Sequence, residues 1–123
     1  MVGHKISGTL AVVAVSLIAA PVGAHPTLKS ASPAADVTST SSPAEITLEF
    51  SEGVIARFSG LELKDEFGKT IATGVVMTDP KDRKRLIAPV FAPLNPGRYT
   101  VNWHTVSEDT HRIHGQYSFR IGH

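Results

Sequence analysis

The sequence predicts an all-β domain, a Greek-key sandwich or barrel of about seven short strands. Three observations carry that expectation. Apolar and polar residues alternate with a period of two in several segments. Eight prolines and ten glycines punctuate the chain at short intervals. No segment sustains the 3.6-residue period that an amphipathic helix requires.

The chain opens with a short basic start, His4 and Lys5, followed from Leu10 to Ala20 by an apolar run (LAVVAVSLIAA) interrupted only by Ser16. A membrane-spanning helix needs about 20 apolar residues, and Pro21 and Gly23 end this run first. Val22-Gly23-Ala24 then supplies the small residues that a signal peptidase reads, so residues 1–24 are expected to be a cleaved signal peptide. Residues 25–123 remain as one exported domain of 99 residues, long enough for one modest core. The periplasm is the expected location.

An extended segment near Leu28 begins the domain, and Thr38 to Pro43 (TSTSSP) reads as a loop. Glu45 to Phe50 (EITLEF) sets Ile46, Leu48 and Phe50 against Glu45, Thr47 and Glu49, a half-buried strand. Gly60 to Lys64 alternates through Leu61 and Leu63, Asp65-Glu66-Phe67-Gly68 forms a hairpin turn, and Thr70 to Met77 is β-rich. The charged tract from Asp79 to Arg85 reads as a solvated hairpin end that leads into a strand from Leu86 to Phe91. Pro93, Asn95, Pro96 and Gly97 mark another turn. Arg98 to Val106 places Tyr99, Val101 and Trp103 on one face, with His104 facing away, and Tyr117, Phe119 and Ile121 alternate in the last strand. The aromatic residues belong to the core by this pattern.

Charge and cysteine count restrict function. The 12 basic and 11 acidic residues create no field to gather nucleic acid, and the basic tract from Arg83 to Arg85 is diluted by Asp79 and Asp82. The absence of cysteine excludes disulfides, thiolate metal sites, iron–sulfur clusters and a cysteine nucleophile. No Ser-His-Asp triad, phosphate-cradling glycine loop or pair of acid/base carboxylates is defensible from the spacing. Any metal must therefore be held by nitrogen and oxygen.

Cleavage after Ala24 would expose His25, whose α-amine and ring Nδ1 can close a six-membered chelate suited to Cu(II). Pro26 has no amide proton, so a metal cannot recruit the next peptide nitrogen and must find its other ligands elsewhere. In Ser107 to Gly115 (SEDTHRIHG), Asp109 and His111 stand two apart and would project to one side of an extended segment. His111 could add a third nitrogen and Asp109 an oxygen or a supporting contact. By spacing alone the Asp-x-His pair is a weak signal, and an ordinary polar loop is the commoner reading. His123, the final residue, is expected to fray.

The pieces HPTLKSASPA, EITLEFSEGV, YTVNWHTVSEDTH and GQYSFRI, taken in order, resemble the CopC family of periplasmic copper-binding proteins over the whole expected domain. The resemblance rests on His25 at the new terminus, Ser32-Pro33-Ala34, Phe50-Ser51-Glu52, Trp103, and the Ser107 to His111 motif. It implies a seven-stranded Greek-key fold, immunoglobulin-like or cupredoxin-like. It also implies one Cu(II) per chain held by the amine and ring of His25, by Asp109 and by His111. Glu52 lies in a context near the copper end of family members, although a solvated strand-end carboxylate is the simpler reading. His114 is close enough to be an auxiliary ligand, against the simpler reading of an exposed histidine.

Some family members hold Cu(I) with a methionine-rich loop, but Met77 is the only methionine after the leader. The implied function is a monomeric copper carrier or buffer in copper resistance and homeostasis, not an enzyme, with a CopD-type inner-membrane protein as partner. Two other readings are a histidine-brace copper oxidase and a metal-free immunoglobulin-like interaction module.

Overall fold

The computed structural model describes residues 26–122. The expected leader, His25 and His123 lie outside the described residues. The strands are β1 (Leu28–Ser32), β2 (Thr38–Ser39), β3 (Glu45–Phe50), β4 (Gly60–Asp65), β5 (Thr70–Ile71), β6 (Met77–Asp79), β7 (Asp82–Pro89), β8 (Gly97–Val106) and β9 (Arg112–Ile121). They form a four-stranded sheet in the order β1-β3-β7-β6 and a five-stranded sheet in the order β2-β9-β8-β4-β5. Seven strands have three or more residues, in agreement with the expected count. The fold is an all-β Greek-key sandwich. None of the helices among the described residues is long and apolar enough to cross a membrane.

The alternation read from the sequence becomes the core. Ile46, Leu48 and Phe50 from β3 face Val101, Trp103 and Phe119 from β8 and β9, and all are buried. Full burial of each large side chain is worth about 1.5–3 kcal/mol. Phe50 and Trp103 join the two sheets edge to face, with ring centroids 5.3 Å apart at 68°. Tyr99 stacks on Phe119 at 5.7 Å, and its hydroxyl donates to the Asn95 carbonyl at 2.7 Å, fixing the turn that enters β8. Gly115 lies opposite Trp103 in the β8–β9 register. A Cβ there would come 2.6 Å from Trp103 Cζ2, so glycine is what lets the indole lie flat against β9.

Three local expectations are corrected. Thr70 to Met77 is not one strand, because the chain leaves the five-stranded sheet after Ile71, bridges Thr73 to Val90, and joins the other sheet at Met77. Thr38 and Ser39, at the start of the expected loop, pair in parallel with Arg120 and Ile121. Arg83, Lys84 and Arg85 belong to β7 rather than to its turn, since Arg85 pairs with Glu49 across the strands and reaches its carboxylate at 3.3 Å.

Candidate metal centre

Ser107 organises the loop that joins β8 to β9. It is fully buried, and its N–H donates to the His111 carbonyl at 2.9 Å. Its Oγ accepts the His111 N–H at 3.1 Å and donates to Asp109 Oδ1. Thr110 N–H returns to the Ser107 carbonyl at 2.8 Å, with Thr110 held at φ 72°, a left-handed conformation that costs a β-branched residue about 1–2 kcal/mol. One buried serine therefore fixes the turn through its hydroxyl, its N–H and its carbonyl.

The turn brings Asp109 and His111 together. Asp109 Oδ1 and His111 Nδ1 are 3.1 Å apart, with the two side chains 45% and 42% exposed in that order. Two donors at right angles around a cation with bonds of about 2.0–2.2 Å stand roughly 3 Å apart, so this spacing fits a shared transition metal. The Ser107 hydroxyl, and after it the His111 side chain, hold the Asp109 carboxyl below its ordinary value of 3.8. At neutral pH it is an ionised oxygen donor.

Backbone links draw two other segments to the same end of the sandwich. Thr27 N–H donates to Ser51 Oγ at 2.9 Å, and Ser51 N–H donates to the Thr27 carbonyl at 2.9 Å, tying the start of the described chain to the end of β3. Val54 then bridges Ser107, Glu108 N–H donates to the Gly53 carbonyl and Ile55 N–H to the Val106 carbonyl, both at 2.9 Å. Pro26, Ser51 to Val54 and the 107–111 loop thus share one end. Pro26 is buried and Glu52 half-buried. Glu108 turns to Arg83, 2.7 Å from its guanidinium, across the space that Gly53 leaves open.

The other two described histidines lie on the strands that lead to and from the loop. His104 and His114 are exposed and face each other across β8 and β9, on the surface opposite the core. Among the described residues, no group of three or more His, Cys, Asp or Glu is arranged to hold a metal. Asp109 and His111 form a pair, and His25, the remaining expected ligand, is outside the described residues. The role of Ser107 was not foreseen from the sequence beyond its place in the motif. Its signal was a serine two residues before an acid at a strand end, a pattern that permits side-chain closure of a turn.

The model of the CopC domain matches residues 28–122. The chain is 41% identical over 112 residues to Protein YobA of Escherichia coli (strain K12), covering 91% of this chain and 90% of that one. It is 37% identical over 127 residues to Copper resistance protein C of Xanthomonas campestris pv. juglandis, with 96% of each chain covered. Among solved structures, CopC from Methylosinus trichosporium OB3b superposes with a TM-score of 0.74 at 28% identity, over 80% of this chain and 94% of that chain. PcoC of Escherichia coli, described as a methionine-rich copper resistance protein, superposes with a TM-score of 0.70 at 37% identity, over 80% and 99% of the respective chains.

Proposed function

The chain belongs to the CopC family, and from that premise we propose that it binds one Cu(II) ion at the end of the sandwich where the start of β1 meets the 107–111 loop. It carries or buffers the ion in the periplasm as part of copper resistance. The observation that supports this reading is the Asp109–His111 pair, 3.1 Å apart and built on a buried serine, beside the Thr27–Ser51 anchor. Residue 25 is one peptide bond before Pro26, so a histidine there, with its amine free, would be at the same end. Its amine and imidazole would add two nitrogens to the imidazole of His111 and the carboxylate of Asp109. Glu52 borders that end from β3. His114, on the outer face, is outside the proposed set.

Such a nitrogen and oxygen set favours Cu(II), the tightest-bound divalent ion of its series, whereas Cu(I) selects thioether and thiolate sulfur. The chain has no cysteine, and Met77 is its only methionine beyond the first residue. It therefore lacks the material for the sulfur-rich site that the methionine-rich description of PcoC suggests. The copper ion is cargo: the protein acts as a monomer that binds and hands on the ion, without catalysis, to a CopD-type membrane protein.

The test is electron paramagnetic resonance of the leaderless protein with one equivalent of Cu(II). The expected spectrum is that of a single tetragonal site with nitrogen hyperfine coupling, and His111→Ala should change it and weaken binding by at least about tenfold. An unbound-copper spectrum, or one indifferent to both His111→Ala and Asp109→Asn, would overturn the proposal.

A further inference from the structure

We propose that the outer face of β8 and β9 carries a second, weaker site for a divalent transition metal, built on the cross-strand imidazoles of His104 and His114. The site is separate from the loop at the end of the sandwich, and it stands whether or not that loop binds copper.

The ladder register supplies the geometry. His104 pairs directly with His114. Ser107 N–H bonds to the His111 carbonyl, while the Val106 carbonyl turns outward to Ile55 N–H, so 107/111 is a hydrogen-bonded pair and 106/112 is not. Continuing the alternation, 105/113 is hydrogen-bonded and 104/114 is not. In non-hydrogen-bonded pairs the two Cα atoms approach to about 4.5 Å and the side chains stand closest. Two imidazoles so placed on the rigid strands of a hairpin can reach one ion together once their rings turn toward each other.

The surroundings favour a cation with open coordination positions. On the far side of His104 the register places Gly60, and a Cβ there would lie 2.5 Å from His104 Cε1. The ring therefore lies over Gly60, on the side away from His114, and shares an ion with His114 after rotation of its exposed side chain. The next row on the same face consists of Glu62, Asn102 and Gln116, which offers a carboxylate and two amide oxygens. His104 and His114 together line both of two adjoining surface depressions, one of which includes Glu62, Asn102 and Gln116. Imidazole with oxygen or water suits Cu(II), Ni(II) and Zn(II), with Cu(II) the tightest.

Two features keep this site distinct from the loop. His111 and His114 are three residues apart, about 10 Å along extended chain. His111 also lies in the loop before β9 begins at Arg112, whereas His114 is within the strand. With two protein nitrogens rather than a terminal chelate plus imidazole, this site fills second in a titration of the intact protein.

The experiment follows the imidazole Cε1–H signals by NMR while Cu(II) is added to the leaderless protein and to its His111→Ala variant. In the unsubstituted protein the second equivalent should broaden His104 and His114 together, with the backbone signals of Asn102 and Gly115. In the His111→Ala protein the same signals should broaden at a smaller excess of Cu(II), because the loop competes less well for the ion. His104→Gln and His114→Gln should each raise the half-saturation concentration at least about tenfold, since either breaks the two-point attachment. Both substitutions are on an exposed face, and Zn(II)-induced shifts of the same two rings in the unsubstituted protein give a readout that needs no variant. Rings that stay sharp and unshifted through several equivalents would overturn the proposal. Broadening of one ring alone, or broadening that survives either substitution, would do the same by reducing the site to a single surface imidazole.

Discussion

Replacing Ser107 with alanine removes one buried oxygen and leaves the backbone of the loop otherwise intact. The residue is 0% exposed, and its Oγ accepts the His111 N–H at 3.1 Å. A buried donor left without its acceptor costs about 1–3 kcal/mol. The Ser107 N–H to His111 carbonyl bond at 2.9 Å survives the substitution, so the lower half of that range applies, about 1–2 kcal/mol. For a domain of this size each kcal/mol lowers Tm by about 4–8 °C, giving a fall of roughly 4–16 °C in thermal unfolding of the metal-free protein. Asp109 should respond as well, because the Ser107 hydroxyl is the largest influence holding its carboxyl below 3.8. Its titration, followed by carboxyl carbon NMR, should move upward toward that value.

The sign follows from linkage. A carboxyl whose folded pKa is lowered stabilises the fold above its unfolded pKa and loses that contribution as pH falls through the folded value. The unsubstituted protein should therefore lose a larger increment of stability below about pH 4 than Ser107→Ala, in which His111 still lowers Asp109, and the gap between the two should narrow in acid. A Tm within 2 °C of the original together with an unmoved Asp109 titration would refute the assignment of Ser107 as the organiser of the loop.

Gly115→Ala should destabilise the fold by about 1–3 kcal/mol, the usual cost of overpacking, because its Cβ would meet Trp103 Cζ2 at 2.6 Å; chemical denaturation monitored by Trp103 fluorescence measures it, and an unchanged midpoint would count against the close approach. Tyr117→Phe should be neutral or stabilising by up to about 1 kcal/mol, since the buried Tyr117 hydroxyl has no hydrogen-bond partner among the described residues and burial pushes its ionisation upward; a clear loss of stability would show that the hydroxyl is satisfied. Cu(II)-loaded protein, reduced without oxygen in the presence of a Cu(I)-selective chelator, should surrender its copper rapidly and completely; Cu(I) retained in a way that requires Met77 would reveal a sulfur site.

The fold was legible because its long strands obey a single rule. In β3, and in β8 from Tyr99 to Trp103, every inward position is apolar or aromatic and every outward one polar, and the inward positions are the buried ones. The rule fails where a strand is too short to show a period. β2 and β5 have two residues each; β5 pairs locally with β4 across the turn, but β2 owes its pairing to a strand distant in sequence, as when Thr38 joins Arg120. The change of sheet between Ile71 and Met77 is invisible for the same reason, since β propensity does not say which partner a segment will choose.

At the candidate centre, the Asp109 and His111 spacing was readable, and the structure brings the two side chains together. The Thr27–Ser51 and Val54–Ser107 links that gather the end of the sandwich join residues 24 and 53 positions apart, beyond what local pattern can show. Ser107 itself looked like any polar loop residue until its burial was known. The pairing of His104 with His114 required the register.

The central claim is that the terminal amine of His25 completes a Cu(II) site with Asp109 and His111. The most direct measurement is a Cu(II) competition titration comparing protein that begins at His25 with protein carrying one additional residue before it. The added peptide bond abolishes the amine–imidazole chelate and changes nothing in the sandwich. Affinity should fall by at least about 3 kcal/mol, more than a hundredfold, at 1.4 kcal/mol per factor of ten. Equal affinity in the two proteins would contradict the account, because the metal would then be held without the terminus on which the proposed site depends.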